Sequence, residues 1–208
     1  MKQFTISQKI YMGVKRVIDI LLSALALILL SWLFLILCIA IKIDSRGPIL
    51  FKQKRVGIHK THFMIYKFRT MRIDTPKDMQ THMLADPEQH ITRVGKFLRK
   101  SSLDELPQII NILMGKMSIV GPRPALWNQY DLIEERDKYG ANDVMPGLTG
   151  WAQINGRDEL EIDVKAKLDG EYVKKFGFIM DLKCFFGTIT AVLSHKGVVE
   201  GGTGEMHK

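Results

Sequence analysis

The hydrophobic positions of the chain fall into three patterns. Residues 20–41, ILLSALALILLSWLFLILCIAI, hold 20 apolar side chains in 22 and no charge. A run that long exceeds a buried core helix and passes the threshold of ~18 residues for a membrane segment. Fifteen of its residues are Leu, Ile or Phe, which sum to an upper bound of about −5 to −9 kcal/mol for insertion. A signal peptide has a shorter apolar region and a small-residue cleavage site, and neither is found here. The second pattern is alternation. Ile49-Leu-Phe-Lys-Gln-Lys-Arg55 and His62-Phe-Met-Ile-Tyr-Lys-Phe-Arg-Thr70 flank Val56-Gly57-Ile58 and predict a β-hairpin. The third is helical: Ile91, Val94, Phe97 and Leu98 form a stripe surrounded by Arg93, Lys96, Arg99 and Lys100. Such a helix suits a membrane interface or a packed surface position equally. Further helices are predicted from Ser102 onward and over 125–139, 160–176 and 179–195, while 74–90, with Pro76 and Pro87, reads as a surface excursion. The expected fold is α+β: a membrane anchor over residues 1–45, then one mostly helical domain over 46–208 with a small β-hairpin and interfacial amphipathic helices.

Composition sharpens this reading only when it is divided by position. Over 208 residues the chain is 46% apolar and 25% charged, with mean hydropathy +0.01, the average of an ordinary soluble domain. Two cysteines exclude a disulfide scaffold and fit a reducing compartment. The net charge of +8 comprises +3 over 1–41, +9 over 42–100 and −4 over 101–208. A basic half beside an apolar run points to anionic lipid headgroups or phosphates. No nucleic-acid motif accompanies it, so nucleic acid is not an expected partner. Lys2, Lys9, Lys15 and Arg16 precede the run and Lys42, Arg46, Lys52, Lys54 and Arg55 follow it. Basic flanks on both sides favour a hairpin that returns to the side it came from. A single straight helix over the run would measure about 33 Å, enough to span. The run lacks Pro, the usual helix breaker. Ser31 can bend a helix modestly by bonding back to a carbonyl, and Trp32 sits mid-run, where a spanning helix disfavours it.

Several residues could carry chemistry. Ser102-Leu-Asp-Glu105 has the form of a capping box, which alone accounts for Asp104 and Glu105 at a helix start. Adjacent carboxylates there could also hold a divalent cation and supply a nucleophile to a phosphate. Gly121-Pro-Arg-Pro124 is a stiff turn, and Arg123 is either an anion ligand or a solvated side chain. Lys67 and Arg69 share a strand face, as a pyrophosphate clamp or a solvated edge. Residues 146–157, PGLTGWAQINGR, form a Gly-rich stretch that could let backbone approach a ligand, though it lacks P-loop spacing. His59 and His62 have no further obvious metal ligands nearby.

Taken together, seven motifs carry a resemblance. They are Lys15-Arg-x-x-Asp19, Gln53-Lys-Arg-Val-Gly57, Tyr66-Lys-Phe-Arg-Thr-Met71, Ser102-Leu-Asp-Glu-Leu-Pro107, Met117-Ser-Ile-Val-Gly-Pro-Arg-Pro124, residues 146–157 and Asp181-Leu-Lys183. Over about residues 10–200 the chain resembles the small monotopic phosphoglycosyl transferases of the bacterial sugar transferase family. That resemblance implies transfer of a sugar 1-phosphate from a UDP-sugar to polyprenol phosphate, usually undecaprenyl phosphate, with release of UMP, as the start of membrane glycan or glycoconjugate assembly. It implies a ping-pong mechanism through a covalent phosphosugar on Asp104, and Mg²⁺ placed by Glu105 with Asp104. Lys67 and Arg99 would neutralise the pyrophosphate, Arg123 would serve the uridine end, and Arg157 and Asp181 would support the site. The implied location is the cytoplasmic face of the bacterial inner membrane, with downstream glycosyltransferases as neighbours and a homodimer compatible. The family commonly has Ser-Pro where this chain has Ser31-Trp32, so the helix breaker of the expected reentrant hairpin is absent. The alternative is a membrane-anchored nucleotide- or phosphate-binding protein or scaffold without turnover.

Overall fold

The computed structural model describes residues 2–75, 87–156 and 160–193. Helix dominates, joined by two small two-stranded sheets. Helix α1 (Ile6–Leu29) opens with a capping box, in which the Thr5 hydroxyl accepts the Gln8 N–H and the Gln8 amide accepts the Thr5 N–H. Its amphipathicity is inverted. The inward face carries Lys15, Asp19 and Ser23, all buried, whereas Ile10, Val14, Val17, Leu21, Leu25 and Ile28 are exposed outward. A helix that hides its polar residues and shows its apolar ones is built for a lipid environment.

At Leu30 the chain turns, and α2 (Ser31–Asp44) leaves at 62° to α1. Among the described residues no single helix is long and apolar enough to cross a membrane, while the bent pair taken together meets the length and composition of a broken span or a reentrant loop. The break falls at the predicted serine without any proline. Ser31 Oγ donates to the Ile28 carbonyl at 2.8 Å, taking up an acceptor at the end of α1. The bend is far larger than the modest one expected of serine alone.

The predicted hairpin is β1 (Leu50–Val56) paired antiparallel with β2 (His62–Phe68), Leu50 opposite Phe68 and Val56 opposite His62. Each edge of this ribbon is occupied in part. The buried Asn111 amide accepts from Tyr66 N–H at 2.9 Å and donates to the Met64 carbonyl at 2.8 Å, standing in for a strand beside β2. On the other side Val56 N–H donates to the Ala125 carbonyl, and Arg55 bridges to Leu126. The second sheet was not anticipated from sequence: β3 (Ser118–Val120) runs parallel to β4 (Gly147–Thr149). Two of the three glycines of 146–157, Gly147 and Gly150, serve this pairing. A Cβ on Gly147 or Gly150 would collide with the backbone of Gly121, so backbone meets backbone.

Short helix α3 (Pro87–His90) precedes α4 (Arg93–Lys100), capped by Thr92. Of the predicted excursion, residues 76–86 lie outside the described residues. In α4, Leu98 is buried and Val94 packs beside it, while Phe97 points outward, so the helix is packed along one side. Helices α5 (Gln108–Leu113), α6 (Tyr130–Asp137), α7 (Trp151–Ile154), α8 (Ile162–Lys174) and α9 (Phe178–Leu193) complete the chain. One core cluster joins Leu37 and Ile41 of α2, Phe68 of β2, Leu98 of α4, and Leu103 and Leu106. Helix α2 therefore packs directly against the segment that carries Asp104 and Glu105. A second cluster, around Tyr172, Val173, Phe176, Met180 and Cys184, receives Tyr11 and Met12 of α1.

Candidate active site

Asp104 and Glu105 lie in a single 3-10 turn (Leu103–Glu105), not at the start of a long helix. The capping box expected at Ser102 does not form. Ser102 adopts left-handed φ 55°, ψ 15° and makes no capping bond, and the Glu105 carboxylate is drawn elsewhere. Its Oε1 accepts Lys67 Nζ at 2.7 Å and Arg123 Nη2 at 2.5 Å, while Oε2 accepts Arg123 Nη1 at 3.3 Å. Charge-assisted bonds to two cations outcompete a neutral bond to one backbone N–H. The short turn and the six-residue α5 leave little helix dipole, so side-chain cations provide the neutralisation expected from it.

The two carboxylates are in opposite electrostatic states. Burial works against ionisation of Glu105, but Arg123 and Lys67 together hold its carboxyl well below the usual range. Asp104 is pushed up by burial, with the neighbouring Glu105 charge adding to this, although Lys67, Arg99 and Arg123 pull the other way. Lys67 Nζ stands 4.0 Å from Asp104 Oδ2, and among the described residues the Asp104 carboxylate makes no hydrogen bond. Glu105 is thus a fixed anion inside a cation fork. Asp104 is a more basic carboxylate with lone pairs available.

The remaining predicted residues divide between the site and the scaffold. Arg99 Nε donates to Thr70 Oγ1 at 3.0 Å, and its charge acts on Asp104. Arg123, implied at the uridine end, is forked onto Glu105 instead. Lys67 and Arg69 share a strand face, as alternation requires, but their head groups diverge. Arg69 is buried and donates to the carbonyls of Ser45 (2.7 Å), Arg46 and, at the 3.5 Å limit, Ile41. It closes the C-terminal end of α2 and is not part of a phosphate clamp. Gly47, at φ 128°, lies so close beneath that guanidinium that a Cβ would overlap it. Asp181 also has a structural position, accepting Tyr11 and Lys15 on Oδ2 (2.7 and 2.5 Å) and Tyr172 on Oδ1 (2.8 Å). Arg157 lies outside the described residues.

Two basic residues assigned by composition to the membrane surface have internal partners. Lys15 is buried on Asp181, and Arg16 donates to the carbonyls of Ile112 and Leu113 at the end of α5. Asp19, likewise, accepts Ser118 Oγ and Ile119 N–H, tying α1 to β3. His59 pairs with Asp143 at 3.2 Å. Residues missed at the sequence level are Thr70 and Asn111, one holding Arg99 and the other bracing the strand next to Lys67. The motif Tyr66–Met71 contains Thr70, but spacing gave no sign of its partner.

Among the described residues no group of three or more His, Cys, Asp or Glu side chains could hold a metal ion. The acidic pair alone still suits Mg²⁺, which keeps several waters and needs only one or two carboxylates alongside phosphate oxygens. Asp104 has unengaged oxygens, and Glu105 Oε2 is held only at 3.3 Å.

A buried acidic pair among cations, packed against a bent apolar helix pair, is compatible with chemistry on phosphates. The chain belongs to the bacterial sugar transferase family, whose family model matches residues 10–195. It is 38% identical over 187 residues to an uncharacterized sugar transferase, EpsL, of Bacillus subtilis, covering 90% of this chain and 91% of that protein. It is 40% identical over 183 residues to the UDP-glucose:undecaprenyl-phosphate glucose-1-phosphate transferase of Escherichia coli, covering 84% of this chain and 39% of the relative. A UDP-N-acetylgalactosamine-undecaprenyl-phosphate N-acetylgalactosaminephosphotransferase of Aeromonas hydrophila is 37% identical over 196 residues, covering 90% and 45%. The chain therefore spans nearly all of the first relative and less than half of the other two. Its class is that of the sugar-1-phosphate transferases.

Proposed function

We propose that this protein transfers a sugar 1-phosphate from a UDP-sugar to undecaprenyl phosphate and releases UMP. The observation that carries the reading is the asymmetry of the acidic pair: Glu105 locked between Lys67 and Arg123, and Asp104 beside it with a raised pKa and no hydrogen bond among the described residues. An Asp104 oxygen attacks the phosphorus that bears the sugar, and the bond from that phosphorus to the bridging oxygen breaks. The bridging oxygen leaves with UMP. A phosphate oxygen of the polyprenol phosphate then attacks the same phosphorus, the bond to Asp104 breaks, and the carboxylate is regenerated. Lys67 and Arg99 offset the repulsion between carboxylate and pyrophosphate, and Arg123 keeps Glu105 ionised and in place beside Asp104. Bound Mg²⁺, held by Asp104 and Glu105, would neutralise phosphate charge.

The inverted amphipathicity of α1 and the 62° bend support a reentrant anchor over residues 1–45, with the domain of 46–208 on the cytoplasmic face among anionic headgroups. If both legs lean equally, the 14 residues of α2, about 21 Å long, reach a depth of about 11 Å, within one leaflet. Labelling Ser7→Cys and Ser45→Cys with an impermeant thiol reagent tests this; accessibility from opposite sides would end the hairpin reading. The reaction is tested by Mg²⁺-dependent UMP release across a panel of UDP-sugars with polyprenol phosphate. Asp104→Asn is expected to abolish it, and mass spectrometry of a single-turnover sample is expected to find the sugar phosphate on Asp104. Full turnover by a folded Asp104→Asn protein would refute the mechanism.

A further inference from the structure

We propose that Thr70 is a positioning residue for this transfer, acting by orienting the Arg99 guanidinium beside Asp104. The inference rests on the reading of Asp104 and Arg99 given above, and adds a residue to it.

Thr70 follows β2 directly and is buried. It holds α4 at two points. Its carbonyl accepts the N–H of Thr92, the cap of α4, at 3.0 Å. One helical turn further on, Gly95 lies so close to that carbonyl that no Cβ could be accommodated. Its hydroxyl then accepts Arg99 Nε at 3.0 Å in the last turn of the helix. Backbone contacts thus set how closely α4 approaches, while the side chain sets one rotation, that of the guanidinium plane.

The direction of that plane matters because of what comes next in the chain. The Arg99 carbonyl accepts Ser102 N–H at 3.1 Å, and Ser102 turns the chain through its left-handed conformation into the 3-10 turn of Asp104. Arg99 and Asp104 are therefore joined through a short, hydrogen-bonded link that leaves the arginine side chain as the adjustable element. A guanidinium donates in its own plane, so a rotation alters which oxygens of a phosphate it can reach. A bond at Nε fixes the plane where a bond at a terminal nitrogen would leave more freedom. Lys67, the penultimate residue of β2, contacts Glu105 from that strand. The end of β2 therefore supplies one cation directly and orients a second through Thr70.

The test uses the full chain in a membrane mimetic, with UMP release measured for the UDP-sugar of highest turnover. Thr70→Val removes the acceptor at nearly constant volume and is expected to lower kcat roughly 10-fold to 100-fold, with KM for the UDP-sugar changed less than about 2-fold. Thr70→Ser restores the acceptor and is expected to recover most of kcat. The Thr70→Val effect is expected to vanish in an Arg99→Ala background, since the two residues act as one unit. Additive losses in that cycle, or a Thr70→Val enzyme with wild-type kcat, would overturn the proposal. If Thr70→Val does not accumulate as folded protein, Thr70→Ala decides on the same cycle. A wild-type chain that releases no UMP from any UDP-sugar refutes the underlying reading instead, and the two failures are thereby distinct.

Discussion

Replacing Arg69 with Met separates a helix clamp from a phosphate clamp. Methionine keeps much of the aliphatic stem but removes every donor, so the carbonyls of Ser45 and Arg46 lose their partners at the end of α2. The Ile41 contact, at 3.5 Å, counts for nothing in this sum. Two hydrogen bonds from a charged group contribute about 1.5–3 kcal/mol each, giving a loss of about 3–6 kcal/mol. For a chain of this size each kcal/mol moves Tm by about 2–4 °C, so the variant is expected to melt roughly 6–24 °C lower. Arg69→Lys should fall between the two, because an ammonium is a point charge that cannot span the same carbonyls in a plane. Thermal unfolding in a fixed membrane mimetic, followed by UMP release below the lower Tm, provides both readouts. At that temperature KM for the UDP-sugar is expected to match wild type. An unchanged Tm with KM raised about tenfold would show that the guanidinium holds phosphate, and the clamp reasoning would be wrong.

Three further outcomes are expected. Ser102→Gly should raise Tm slightly, by a stability gain of about 0.5–1 kcal/mol, because glycine adopts φ 55° without the cost serine bears; a lower Tm would mean the serine side chain contributes more than its backbone costs. Arg123→Met leaves Glu105 with Lys67 alone and should cost about 2 kcal/mol at pH 7, given that Arg123 is one-third exposed. The folded-state pKa of Glu105 is depressed, so the stability it contributes is present above the ordinary glutamate value of about 4.3 and is lost as pH falls below it. The Tm gap between wild type and Arg123→Met should therefore hold from pH 7 to about pH 5 and narrow only as pH falls below about 4.3, and a gap that stays constant down to about pH 3 would count against the ion-pair account. Trp32→Pro introduces the family's usual breaker in the first turn of α2, where proline is tolerated; same-side labelling at Ser7→Cys and Ser45→Cys should be unchanged, and a shift to opposite sides would show that the existing bend is not the one proline makes.

Local pattern revealed the hairpin, the apolar run, α4 and most later helices, since period and capping are written into neighbouring residues. It could have revealed more: Lys15, Asp19 and Ser23 recur every fourth residue through an otherwise apolar helix, which marks the inward face of α1. The β3–β4 pair was not legible, because three-residue parallel strands 29 residues apart leave no period and are joined by glycines that look like a ligand loop. The contacts of Arg69 and Arg123 were not legible for a related reason. Spacing places a side chain on a face, but a long guanidinium reaches whichever acceptors the tertiary fold brings near, carbonyls of α2 for one and Glu105 for the other. Ser102 illustrates the limit of motif reading: the letters of a capping box are present, yet two cations elsewhere in the chain claim the glutamate.

The occupied edges of the β1–β2 ribbon bear on how this protein tolerates its surroundings. Enzymes confined to a bilayer plane diffuse in two dimensions, where encounters between copies are frequent and mutually oriented. An open strand edge under such confinement invites sheet extension from one molecule to the next. Here a single asparagine amide caps one edge and the segment after Pro124 caps the other. These contacts shorten the strand edge that a neighbouring copy could extend, at Met64 and Tyr66 on β2 and at Arg55 and Val56 on β1, and so shield the ribbon that carries Lys67.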